Sequence, residues 1–180
     1  MFVGRLARDK RIGVLIRTLA KVEGACLVLA GRGDDRPRLE ALADEWGVRE
    51  RVYFLGFVPD GDLPGLYRAS TCFVIAADVE VQSIPALQAA STGLPIVAAN
   101  AAALPEIVKD GVNGYLVPPD DEQAFADALQ RVLSSGNRRA EFARASLAIG
   151  AQHADERTLT AYEELYRSVA DGARGSASAS

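Results

Sequence analysis

Apolar residues in this chain fall into short unbroken runs, separated by stretches with helical spacing. Met1-Phe2-Val3 opens the chain as one such run. Ile12, Leu15, Ile16 and Leu19 then recur at the three-and-four spacing of a helix face. Cys26-Leu27-Val28-Leu29-Ala30 reads as a buried strand closed by Gly31-Arg32-Gly33. Leu39 to Trp46 reads as helix, Arg51 to Leu55 as strand and Leu63 to Ala69 as a short helix. Cys72 to Ala76 is the next strand, and Ile84 to Ser91 the next helix. Pro95 to Ala98 is another buried strand and Tyr115-Leu116-Val117 a last short one. Helices follow over Asp121 to Leu133, Arg138 to Ile149 and Glu156 to Val169, with Asp120 and Gln123 spaced as a capping box for the first. Asp171 to Ser180 is rich in Gly, Ala and Ser and reads as a disordered tail behind one domain of residues 1–170.

Strands covered on both faces read as unbroken apolar runs, and these runs alternate with helices. The expected class is α/β: a Rossmann-like, doubly wound parallel sheet. In such a sheet the ligand sits outside the carboxyl ends of the strands, so the residues just after each strand carry the functional information.

The chain has 180 residues, 49% of them apolar and 24% charged, which suits one folded domain with a sizeable core. The formal net charge of −4 makes it a poor counterion for nucleic acid, which is set aside as a partner. Cys26 and Cys72 both fall in apolar runs and read as core residues. His153 is the only histidine, and no Cys/His cluster suggests a metal. No signal peptide and no apolar run near the roughly 20 residues of a membrane span is present, so a cytoplasmic location is expected.

Four loops follow strands. Gly4-Arg5-Leu6-Ala7-Arg8-Asp9-Lys10 places Arg5 and Lys10 either as a solvated basic turn or as a grip on an anion, a fork and a point charge together. Gly31-Arg32-Gly33-Asp34-Asp35 opens a helix whose N–H groups either face a phosphate or are capped by the aspartates. Gly56-Phe57-Val58-Pro59-Asp60 is an ordinary turn or an apolar wall for a flat base. In Asp78 to Gln88, Ser83 is placed as an N-cap and Pro85 falls in the first helical turn. Glu80 then stands at the lip of that helix, either as a solvated loop acid or, like Gln88 in its second turn, as a partner for sugar hydroxyls.

In order and spacing these segments resemble the C-terminal, donor-binding domain of family-4 retaining glycosyltransferases, the group 1 glycosyl transferases of the two-domain GT-B fold. The segments are Phe2-Val3-Gly4-Arg5-Leu6 with Lys10, Leu29-Ala30-Gly31-Arg32-Gly33, Val52-Tyr53-Phe54-Leu55-Gly56 and Leu63 to Ala69. They continue with Glu80 to Gln88, Thr92 to Ala98, Leu104 to Val108, Asp110 to Gly114 and Leu116 to Pro119. The likeness runs from Phe2 to about Val169.

The resemblance implies a single GT-B half-domain that binds a nucleotide sugar, a UDP-, GDP- or ADP-sugar, with no resident cofactor and no required metal. It implies that Arg5 and Lys10 hold the donor diphosphate and stabilise the charge of the leaving group. It assigns Glu80 to the transferred sugar, Gln82, Ser83 and Ile84 to a loop whose backbone touches sugar and phosphate, and Phe57 and Val58 to the nucleobase wall. Gly4 and Gly31 stand where backbone approaches the donor closely. Gln88 occupies the place of the family's second glutamate, which binds the ribose, and a neutral amide bonds a hydroxyl more weakly. Ala102-Ala103 stand where the family often has two glycines, and Ala76-Ala77 replace a common Pro-Ser.

The implied reaction is glycosyl transfer with retention, needing an N-terminal acceptor-binding domain or subunit onto which the helix Glu156 to Val169 crosses. The segment Glu80-Val81-Gln82-Ser83 also resembles a subgroup acting on lipid or lipid-linked acceptors, which suggests work at the inner membrane face. The competing readings are a nucleotide-sugar-binding or interaction module without catalysis, and half of a sugar-nucleotide epimerase.

Overall fold

The computed structural model describes residues 1–153. Among them, strands and α-helices alternate as β1 (Phe2–Val3), α1 (Ile12–Ala20), β2 (Leu27–Ala30), α2 (Arg36–Glu45), β3 (Val52–Gly56), α3 (Leu63–Arg68) and β4 (Phe73–Ile75). The order continues with α4 (Ile84–Ser91), β5 (Ile96–Ala99), α5 (Leu104–Ile107), β6 (Gly114–Val117), α6 (Glu122–Ser134) and α7 (Gly136–Gln152). The expected helix over Glu156 to Val169 and the expected tail lie outside the described residues.

Every strand pairing among the described residues is parallel, β1 with β2, β2 with β3, β4 with β5 and β5 with β6. The two groups meet at Met1. The Val74 amide donates to the Met1 carbonyl at 2.9 Å, and the Met1 amino group donates to the Cys72 carbonyl at 2.7 Å. The spatial order is therefore 3-2-1-4-5-6, the doubly wound order, and the winding reverses between β1 and β4.

Side chains along a strand point alternately to opposite faces. All of Phe73, Val74, Ile75, Ile96, Val97, Ala98 and Ala99 are buried, so β4 and β5 are covered on both faces. α1 packs against α2 and α6, and α4 packs against α5 and α7. β3 departs from the expectation of two covered faces. Val52 is buried while Tyr53 and Leu55 are exposed, because β3 is an edge strand with one face open to solvent.

Two further expectations are corrected. Cys26 is exposed, since β2 begins one residue later at Leu27, outside the buried run. Cys72 is buried, its thiol lies 3.3 Å from the Phe73 carbonyl, and burial pushes its pKa up to about 11. The cap of α6 is Asp121, which accepts from the Ala124 amide at 2.9 Å, and not Asp120. Asp120 has a left-handed backbone and its carboxylate is engaged by Arg11, so it is not available as a cap.

The loops at the carboxyl ends of β1 and β2 are laced together through backbone. Gly4 donates to Ala30, Leu6 to Arg32 and Asp35 to Leu6, at 3.0, 2.9 and 3.1 Å. Gly31 has a φ of +146°, and a Cβ there would stand 1.8 Å from the Gly4 carbonyl oxygen. At Gly33 a Cβ would stand 2.1 Å from the Leu6 carbonyl oxygen. Backbone cannot yield as a flexible side chain does, so Gly31→Ala is expected to lower unfolding stability by about 3 kcal/mol or more. Gly61, with nothing near its absent Cβ, is the control. Gly61→Ala should stay within about 0.5 kcal/mol of the parent in urea denaturation.

Candidate functional site

The reversal between β1 and β4 brings the loops after these strands side by side, and Lys10 and Glu80 meet there. The Lys10 Nζ donates to Glu80 Oε1 at 2.7 Å, with side chains 20% and 13% exposed. A partly exposed ion pair of this kind adds about 1 kcal/mol or less to stability, so its effect is chiefly geometric. Each partner is held from its own side. Lys10 ends a 3₁₀ turn, Arg8–Lys10, that follows the buried anchor Leu6. The Glu80 carbonyl accepts from the Ala103 amide at 3.1 Å, which ties the loop after β5 to the same point.

Arg5 does not touch Glu80; it reaches the same neighbourhood through Asp9. Asp9 Oδ1 lies 3.4 Å from Arg5 Nη2, and Asp9 Oδ2 lies 3.5 Å from Lys10 Nζ. The two cations singled out in the sequence thus converge on one carboxylate. Arg5 is 69% exposed. It lines an open cleft of about 690 Å³ with Arg8, Arg32, Gly33, Asp35 and Arg38. Asp35, the buried acid of this cleft, is clamped by the Arg38 fork at 2.7 and 2.5 Å.

Helix α4 carries the rest. Ser83 is buried and its hydroxyl accepts from the Ala86 amide at 3.4 Å, the cap expected from the sequence. Pro85 occupies the first turn, where a missing N–H costs nothing. Gln82 and Ile84 are exposed beside it, and Val81 is 93% exposed. Val79, Val81 and Ile84 make an exposed apolar lip on the loop that carries Glu80. Gln88 sits behind the lip, where the Tyr67 hydroxyl lies 3.1 Å from its Oε1 and 3.2 Å from the Pro85 carbonyl. That hydroxyl has one proton to share between two acceptors. Burial pushes the Tyr67 pKa up, which keeps the proton in place.

At the far side Gly56 turns the chain, and Phe57 stands 63% exposed with Val58 half-buried beside it. The Arg32 guanidinium lies 5.7 Å from the centre of the Phe57 ring, a cation–π contact that gives this wall a flat, charged face.

Several participants were not legible in the sequence. Arg11, next to Lys10, pairs with Asp78 at 2.5 Å and with Asp120. Both bonds raise its pKa, Asp120 more than Asp78. Arg11 and Asp120 are themselves left-handed, with φ of 49° and 62°, as is Ala102 at 50°. Each such residue costs about 1 kcal/mol or more against a relaxed backbone. Their loops follow β1, β6 and β5, so all of this strain collects at the carboxyl edge of the sheet. Ala102 shows why glycine suits its position.

An apolar cavity of about 240 Å³ lies elsewhere, lined by Met1, Leu19, Cys26, Leu27, Cys72 and neighbours at the amino ends of the strands. None of the predicted site residues lines it, and ligands of open parallel sheets bind at the opposite edge. Among the described residues, no group of His, Cys, Asp and Glu is placed to hold a metal ion, and no helix is long and apolar enough to cross a membrane.

The chain is similar to known proteins in sequence and fold. The family model described as glycosyl transferases group 1 matches residues 1–147. An uncharacterized glycosyltransferase of Methanocaldococcus jannaschii is 42% identical over 137 residues, 74% of this chain and 35% of that protein. The D-inositol 3-phosphate glycosyltransferase of Corynebacterium urealyticum is 35% identical over 179 residues, 93% of this chain and 42% of that protein. Among solved structures, Anabaena HepE in complex with UDP is 27% identical, with a TM-score of 0.83 over 94% of this chain and 48% of that one. The chain spans less than half the length of the curated relatives it matches. With its doubly wound sheet, the chain belongs to the group 1 glycosyl transferases and has the fold of one half of a GT-B enzyme.

Proposed function

We propose that this domain binds a nucleoside diphosphate sugar and supplies the donor side of a glycosyl transfer that retains anomeric configuration. The observation that carries the reading is the meeting of Lys10 with Glu80 at the reversal of the sheet, with Arg5 drawn to the same spot through Asp9. A site in which two cations already share an anionic oxygen group is suited to a diphosphate. HepE, solved with UDP, supports a nucleotide as the ligand class.

In this reading Arg5 and Lys10 take the diphosphate and Asp9 yields its place. As the sugar–oxygen bond breaks, negative charge grows on the leaving diphosphate, and the two fixed cations stabilise it. Lys10, once turned to phosphate, releases Glu80 to the hydroxyls of the transferred sugar. The backbone at Gln82, Ser83 and Ile84 contacts sugar and phosphate, and Gly4 and Gly31 allow close approach. Gln88 meets the ribose, and Phe57 and Val58 form the base wall. The acceptor is held by a second domain or subunit that covers the apolar lip of Val79, Val81 and Ile84. A lipid-linked acceptor at the cytoplasmic membrane face is one class to assay. The relative named for D-inositol 3-phosphate makes a polyol phosphate the other.

Titration with UDP-, GDP- and ADP-sugars by calorimetry should show saturable binding to one nucleotide class. Arg5→Ala should weaken it by about tenfold or more, since a charge-assisted bond contributes about 1.5–3 kcal/mol. No binding to any of the three, or no effect of Arg5→Ala, would contradict the reading. With an acceptor-binding domain or subunit supplied, Glu80→Ala should abolish transfer, and NMR of the product should show the anomeric configuration of the donor. Binding without any transfer would favour the non-catalytic module.

Asp9→Ala gives a gain instead of a loss. Without the competing carboxylate, nucleotide affinity should rise by about two- to fivefold, which the same titration measures. Weaker binding by Asp9→Ala would show that Asp9 orients the cations and does not compete for them.

A further inference from the structure

Arg11 has no part in the donor contacts described above, yet it joins three loops at the site. Its Nη2 pairs with Asp78 Oδ2 at 2.5 Å, on the loop after β4, and its Nη1 donates to Asp120 Oδ2, on the loop after β6. Lys10 and Arg11 are consecutive, and their partners Glu80 and Asp78 are two residues apart. The loop after β1 is therefore fastened to the loop after β4 at two adjacent points. The third point, at Asp120, anchors the arrangement to the start of α6.

The backbone shows what the side chain is for. Arg11 has a φ of 49° and Asp120 a φ of 62°, values at which glycine rests without steric cost. Two non-glycine residues held in this conformation face each other across the site through an ion pair. A planar guanidinium presents a rigid fork whose two Nη groups hold Asp78 and Asp120 at a fixed spacing, which a flexible ammonium does not impose. Without it, the Asp78 carboxylate would stand uncompensated near Glu80 and repel a phosphate.

We propose that Arg11 is a positioning residue: by clamping Asp78 and Asp120 it holds the loops after β1, β4 and β6 in one register and aims Lys10 and Glu80 at the donor. This rests on the donor-site reading above, and the test keeps the two separable.

Arg11→Gly removes the clamp while relieving the left-handed strain, so its thermal midpoint should stay within about 4 °C of the parent. Lys10 is then read directly. Its amine, held by Glu80 in the parent, should be acylated by an N-hydroxysuccinimide acetate about threefold faster in Arg11→Gly, with rates from peptide mass spectrometry. Lys21 and Lys109, both exposed, are the chain's other lysines and serve as internal references. Affinity for the nucleotide should fall about five- to tenfold in Arg11→Gly. Arg11→Lys, which keeps the charge but not the rigid fork, should recover part of it.

Unchanged Lys10 acylation in a folded Arg11→Gly overturns the proposal, whatever the nucleotide result. If the parent binds no nucleotide but Lys10 acylation still rises, the donor reading fails and the clamp stands. Should Arg11→Gly not fold, Asp78→Asn and Asp120→Asn release the guanidinium from the opposite side. Each is expected to raise Lys10 acylation, and no rise in either overturns the proposal.

Discussion

The contact on which the site depends is the ion pair of Lys10 and Glu80, formed between residues 70 positions apart in the chain. It exists because β1 lies beside β4, where the winding of the sheet reverses. At that point successive helices leave in opposite directions and open a crevice above the strand ends. A basic loop from one side and an acidic loop from the other enter it. The loop after β4 carries no basic residue, and Asp9, the one acid of the loop after β1, is shared with Arg5, so Lys10 and Glu80 pair across the crevice.

The loops hold their positions by backbone more than by side chains. Gly31 and Gly33 pass so close to the Gly4 and Leu6 carbonyls that no Cβ fits, and the amides of Gly4, Leu6 and Asp35 fix the same contacts as hydrogen bonds. On this rigid edge a few left-handed residues, Arg11, Ala102 and Asp120, carry strain at the site itself. Strain of about 1–3 kcal/mol per residue persists where the surrounding structure over-determines the conformation. Here the surroundings are the ion pairs of Arg11 and the bond from Ala103 to Glu80.

Much of the fold was legible because covered parallel strands leave a plain trace. The runs Cys26 to Ala30, Cys72 to Ala76 and Pro95 to Ala98 became strands within a residue of their expected limits, and helix α4 has the limits read from Ser83, Pro85 and the apolar spacing. What failed depended on neighbours that are remote in sequence. Tyr53 and Leu55 look like core in a list of residues, but among the described residues their face of β3, at the edge of the sheet, is left uncovered. Asp120 looks like a cap until Arg11 claims it. Cys26 looks buried until the strand starts one residue late.

The site shows the same division. Arg5, Lys10, Glu80 and Ser83 were legible because each belongs to a short local pattern after a strand, and the structure brings Lys10 against Glu80 and Ser83 onto the start of α4. Arg11, Asp78, Asp9 and Tyr67 belong to no such pattern; their roles arise from loops that meet only in the folded chain. The measurement that bears most directly on this account is a crystal structure of the domain with an intact nucleotide sugar. Diphosphate oxygens are expected on Arg5 and Lys10, with Asp9 displaced and Glu80 parted from Lys10 and bonded to sugar hydroxyls. A nucleotide sugar bound elsewhere, with the Lys10–Glu80 pair intact at 2.7 Å, would contradict it.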